Sequence, residues 1–97
     1  MTDAQQILER LQQLKPVAMQ RYRVRNLALF GSIARGTSSA QSDVDILADF
    51  EETADLLDLV GLGNFLEDEL ARKVDVVPRR ALRPELRDQV LAESVAL

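Results

Sequence analysis

Leu27-Ala28-Leu29-Phe30-Gly31-Ser32-Ile33-Ala34-Arg35-Gly36 is followed, after a short polar stretch, by Asp43-Val44-Asp45-Ile46-Leu47-Ala48-Asp49-Phe50. Leu27 to Phe30 is continuously apolar and ends at a glycine, which reads as a buried strand. Gly31 lets the backbone turn tightly and lets another group come close to it. Ser32 to Arg35 can then form a helical turn, which Gly36 can end. Asp43 to Phe50 reads as a second strand. Its period of two puts Val44, Ile46 and Ala48 on one face and Asp43, Asp45 and Leu47 on the other. The turn offers unpaired backbone N–H groups that favour an anion. The next strand offers two carboxylates on one face, which favour a cation.

Outward from this stretch the chain alternates helices and strands. Thr2 or Asp3 can cap a first helix, on which Ile7, Leu8, Leu11 and Leu14 recur at helical spacing. Pro16 is expected to interrupt or kink it. Tyr22 to Arg25 reads as a transition, and Thr37 to Ser42 as a polar loop of small residues. Leu56, Leu57, Val60, Leu62, Phe65, Leu66 and Leu70 predict a central helix, weakened or kinked by Gly61 and Gly63. Lys73 to Val77 predicts a third strand, closed by Pro78. Pro84 suits the first position of a last helix, with Leu86, Val90, Leu91 and Val95 as its apolar residues. The resulting order is α-β-α-β-α-β-α, an α+β domain of α/β-like character with a small sheet covered by helices.

Composition narrows the chemistry. A chain of 97 residues, 46% hydrophobic and 29% charged, predicts one soluble domain over 1–97. It has no run of about 18 apolar residues that would cross a membrane. The Met1-Thr2-Asp3 start lacks a signal-peptide pattern, so a cytoplasmic protein is expected. Cysteine and histidine are both absent. Thiolate chemistry, the usual zinc sites and a histidine base are therefore excluded, and acid–base work falls to Asp, Glu, Lys or Tyr. The net charge of −4 argues against direct nucleic-acid binding. Ser42 to Leu70 carries ten acidic residues and no basic one. The six basic residues between Arg72 and Arg87 could be a solvated face, or could face a triphosphate or an acidic partner.

Single residues are ambiguous taken alone. Gly31-Ser32 is a phosphate-binding turn or an ordinary turn with Ser32 as a cap. Arg35 can reach a phosphate oxygen or close a structural ion pair. Asp43 and Asp45 repel each other on a mostly buried strand, and a divalent cation removes that cost. Mg²⁺ suits an open carboxylate pair because it also takes phosphate oxygens. An EF-hand loop counted from Asp43 fails, with Ala48 at its sixth position and Ala54 at its twelfth. Asp75, among Val74, Val76 and Val77, needs either a salt bridge to a residue such as Arg72 or Lys73, or a place beside the Asp43/Asp45 strand. There it can add a third carboxylate, or accept the proton of an attacking hydroxyl.

Phe30 to Gly36, Ser42 to Leu47 and Lys73 to Val77, in this order and spacing, resemble the minimal nucleotidyltransferase family, the smallest members of the DNA polymerase β-like superfamily. Ala81 to Arg87 is similar to the family's usual C-terminus. The resemblance implies a small mixed β-sheet flanked by helices, a nucleotidyltransferase fold. It implies that Gly31 and Ser32, with Arg35 beside them, bind the triphosphate of ATP. It also implies that Asp43, Asp45 and Asp75 ligate two Mg²⁺ ions and carry catalysis. Stand-alone chains of this size resemble the antitoxins of HEPN/MNT toxin–antitoxin pairs. In such pairs the partner is a small all-helical HEPN ribonuclease that accepts AMP on a tyrosine hydroxyl. The alternative is an antitoxin that neutralises its partner by binding alone.

Overall fold

A computed structural model describes residues 3–37 and 42–97. The elements are α1 (Asp3–Tyr22), β1 (Val24–Phe30), α2 (Gly31–Arg35), β2 (Val44–Phe50), α3 (Leu56–Leu70) and β3 (Val74–Pro78). A single 3₁₀ turn (Arg79–Ala81), α4 (Pro84–Glu93) and β4 (Val95–Ala96) complete them. The expected cap at Thr2, and residues 38–41 of the expected polar loop, lie outside the described residues.

The strands form one mixed sheet in the order β3-β2-β1-β4. β1 runs antiparallel to β2, with Phe30 opposite Asp45, and β2 runs parallel to β3, with Asp45 opposite Asp75. A parallel pair needs a crossover, which α3 supplies. The core lies between the sheet and the α1/α3 layer. Leu11, Leu29, Ile46, Leu62 and Leu66 are fully buried there. Each large aliphatic so buried contributes about 2 kcal/mol.

Three expectations needed correction. Pro16 does not end α1, which continues to Tyr22. Its ring removes one helical hydrogen bond, but Ile7, Leu11, Leu14 and Ala18 form one buried stripe that anchors the helix on both sides of it. β1 begins at Val24, paired with Phe50, rather than at Leu27, and its register shifts between Val24 and Asn26. That irregularity leaves Arg25 and Asn26 both exposed and breaks the alternation a strand normally shows. α4 stops at Glu93, so Val95 is not on its face. Instead Val95 and Ala96 pair with Leu29 and Ala28 as an edge strand. Gly61 also permits the packing of α3: a Cβ there would lie 2.7 Å from Cε1 of Tyr22.

Candidate active site

The phosphate-turn candidate and the carboxylates meet at one end of the sheet. Gly31 follows β1 directly with φ +78°, a left-handed conformation that side chains rarely adopt. A Cβ on Gly31 would fall on Oδ2 of Asp45 and sit 3.0 Å from its Cγ. Glycine is therefore required twice, by the dihedral and by the carboxylate pressed against the backbone. α2 then turns once and ends at Gly36, also left-handed at φ +76°. The Ser32 carbonyl accepts from the Thr37 N–H at 3.0 Å, which closes the turn behind Ser32.

Asp45 is half-buried on β2, on the sheet face opposite the α1/α3 layer. The parallel register places Asp75 beside it on β3, and Asp43 stands exposed just before β2 begins. Burial raises the Asp45 pKa above its ordinary value, and the charges of Asp75 and then Asp43 raise it further. The Arg35 guanidinium opposes this. Asp75 is exposed rather than sunk among its valines, so the desolvation expected of it does not arise. Nor does it need Arg72, which bonds Asp3 at 2.7 Å and the Ser42 carbonyl at 2.7 Å. Among the described residues, none of the three aspartates has a side-chain hydrogen bond or ion pair.

These three groups do not form a closed cage, and no set of three metal-ligating side chains among the described residues converges as it stands. The arrangement nevertheless fits Mg²⁺. That ion keeps several waters and takes only one or two carboxylates together with phosphate oxygens. Two carboxylates side by side in register, one half-buried and one exposed, without side-chain partners among the described residues, are the donor set such an ion satisfies.

Arg35 pairs with Glu93 of α4 at 3.2 Å. Both partners are substantially exposed, so the pair contributes little to stability. Glu93 was not legible as a site neighbour, because 58 residues separate it from Arg35. The basic segment does not converge on Gly31-Ser32. Arg79, Arg80 and Arg87 line a depression with Asp49. β1 and β2 are antiparallel, so Asp49, opposite Asn26, lies at the other end of β2 from Asp45.

Comparison with known proteins gives the family and the fold. Residues 4–97 match the family described as nucleotidyltransferase domain. The protein adenylyltransferase MntA of Thermococcus cleftensis is 42% identical over 76 residues, 78% of this chain and 77% of that protein. A Methanocaldococcus jannaschii protein assigned as a protein adenylyltransferase is 43% identical over 72 residues, 74% of this chain and 77% of its own length. A solved structure assigned as a minimal nucleotidyltransferase superposes with a TM-score of 0.87 at 38% identity, covering 99% of this chain and 97% of that one. A crystal structure of a toxin–antitoxin with AMP-PNP superposes at 0.68 with 26% identity, covering 98% of this chain and 72% of that one.

A glycine turn lying on one aspartate, with a second aspartate in register on the next strand, is thus set in a minimal nucleotidyltransferase fold. The chain belongs to the nucleotidyltransferase-domain family and is an enzyme of the adenylyltransferase kind.

Proposed function

We propose that this protein is a Mg²⁺-dependent protein adenylyltransferase that acts as the antitoxin of a HEPN-type toxin, moving AMP from ATP to a tyrosine hydroxyl of that all-helical partner in the cytoplasm. The observation that carries the reading is the Asp45–Asp75 register pair, unpartnered among the described residues, with Asp45 against the backbone of Gly31. The relative named protein adenylyltransferase MntA supports the reaction, and the toxin–antitoxin with AMP-PNP supports the nucleotide and the kind of partner.

Each residue then has a role. Gly31 and Ser32 seat the triphosphate, and Arg35 turns from Glu93 to a phosphate oxygen. Asp43, Asp45 and Asp75 would hold Mg²⁺, which when bound would supply charge neutralisation. Asp75, exposed beside Asp45, takes the hydroxyl proton. The acceptor oxygen bonds to the α-phosphorus of ATP while the bond from that phosphorus to the β-bridging oxygen breaks. Pyrophosphate leaves with the electron pair.

The test is transfer of label from ATP to the purified toxin partner in Mg²⁺. Label should appear with the wild-type chain and be lost with Asp43→Asn or Asp45→Asn, while both variants keep the wild-type circular dichroism. Transfer that persists in both variants would overturn the proposal. Neutralisation of the toxin by the double variant as good as wild type would show that binding alone suffices.

A further inference from the structure

β3 is an outermost strand of the sheet, and it carries Asp75. Along such a strand the backbone N–H and C=O groups of successive residues turn alternately to the neighbouring strand and outward. The Val44 N–H donates to the Lys73 carbonyl at 2.9 Å, and the parallel register sets Asp45 opposite Asp75. Lys73, Asp75 and Val77 therefore bond β2, while Val74, Val76 and Pro78 turn their backbone groups outward.

That outer edge is closed at both ends and open between them. At one end the Glu67 carboxylate accepts from the Val74 N–H at 3.0 Å. At the other end Pro78 has no N–H to give. The Val76 N–H and the carbonyls of Val74 and Val76 have no hydrogen-bond partner among the described residues. These open groups flank Asp75, whose exposed side chain stands on the same sheet face as Asp45. Closure at both ends centres any added strand on Asp75.

The chemistry of this window says what fills it. Its donor and acceptors match an extended chain and not a helix, whose own N–H and C=O groups are already bonded. Laid antiparallel, an extended chain sets one residue directly opposite Asp75. The two form the closely spaced kind of pair, without backbone bonds to each other and with side chains on one face. A second copy of β3 across a two-fold axis would set Asp75 against Asp75, and like charges directly opposite are destabilising. A hydroxyl in that place donates to the Asp75 carboxylate instead.

We infer that the outer edge of β3 takes up the acceptor segment of the partner protein as an added antiparallel strand, with the tyrosine that receives AMP opposite Asp75. The inference rests on the transfer reaction proposed above and adds how the acceptor is held. The residues on either side of the tyrosine bond Val74 and Val76 through their backbones, so the edge selects an extended stretch, outside the partner's helices, rather than a particular sequence. Asp75 then meets the hydroxyl whose proton it takes. Asp45 lies on the far side of Asp75 from the incoming strand.

The probe is a synthetic peptide of about seven residues, threonine throughout except for a central tyrosine. Its control is the same peptide N-methylated on both sides of the tyrosine, which removes the backbone donors and keeps the side chains. In the isotope-labelled full chain, without ATP or Mg²⁺, the Val76 amide should exchange with deuterium at least about tenfold faster than those of Asp75 and Val77, which β2 holds. Excess peptide should slow the Val76 amide at least about tenfold, and the N-methylated control should leave it unchanged. With labelled ATP and Mg²⁺, AMP should pass to the unmodified peptide at least about tenfold faster than to the control. Val76→Pro should lose that transfer and keep ATP binding, because proline at an outward position removes the open N–H without breaking the ladder to β2. The exchange and peptide comparisons use the wild-type chain, so they stand whatever the fold of Val76→Pro. Equal transfer to both peptides, or a Val76 amide indifferent to the peptide, would overturn the inference. So would a wild-type dimer in sedimentation in which the Val76 amide is already protected, since the occupant would then be a second copy. Protection of Val76 by the peptide, with no AMP transfer to it or to the purified partner, would defeat the adenylyltransferase reading and leave the strand site standing.

Discussion

The two faces of the sheet treat charge in opposite ways. On the helical side charges are closed by neighbours: Arg10 pairs with Glu69 at 2.6 Å, Arg72 with Asp3, and the Glu67 carboxylate accepts from the Val74 N–H at 3.0 Å. On the other face Asp45 and Asp75 stand side by side with no such partner among the described residues. Folding gains from the first arrangement and loses from the second, because like charges in a half-buried site repel. The difference teaches where the fold leaves room for a ligand: charge that the protein itself does not satisfy is open to the cation and triphosphate proposed above.

The comparison breaks most visibly at Asp45. Asp45→Asn should lower the transfer rate about a thousandfold or more, since charge stabilisation at the reacting phosphorus is lost. The same change should leave the far-ultraviolet circular dichroism intact, and steady-state labelling of the partner measures it. On the helical side the large effect falls on stability instead. Leu11→Ala should cost about 3 kcal/mol in denaturant unfolding, because Leu11 is fully buried and a cavity remains. Transfer per folded molecule should not change.

Gly31→Ala tests the seam between the two faces. The added Cβ meets both an unfavourable dihedral and Asp45, so about 2 kcal/mol of stability should go, together with ATP binding. Retention of both in calorimetry would place the nucleotide elsewhere.

The sign of the Asp45 shift gives a subtler prediction. Its folded pKa is raised, so between the ordinary carboxylate value and the raised one the folded state holds the extra proton. Stability from this group therefore falls as pH rises through that window. Without metal at neutral pH, Asp45→Asn should melt above the wild type. The gap should close on acidification below the ordinary value, and Mg²⁺ with ATP should raise the wild-type melting temperature but not that of the variant. The smallest effect belongs to the exposed Arg35–Glu93 pair: Glu93→Gln should change stability by less than about 1 kcal/mol.

Much of this was legible along the chain, because the signals are local. Val44, Ile46 and Ala48 alternate with Asp45 and Leu47, and that alternation fixed both the strand and the face of its carboxylate. Gly31 after an apolar run marked the turn, Gly36 its end, and Pro84 the start of α4. Local signals failed where pairing decides. The irregularity at Arg25 and Asn26 hid the start of β1. Val95 and Ala96 form a strand only because Leu29 and Ala28 offer an edge. Leu56, Leu57 and Val60 carry a helical signal as strong as that of Leu62 and Leu66, yet only the second group is covered.

By itself the sequence determined the order of the elements as far as α4 and narrowed the candidate functional groups, since residue spacing sets helical and strand periodicity and the lack of histidine and cysteine leaves acid–base work to Asp, Glu, Lys or Tyr. Only the tertiary structure decided that β3 lies parallel beside β2 with Asp75 in register with Asp45, that Gly31 touches Asp45, and that Arg35 meets Glu93. These contacts join residues far apart in the chain, and their cost or benefit exists only once the core has closed and brought them together.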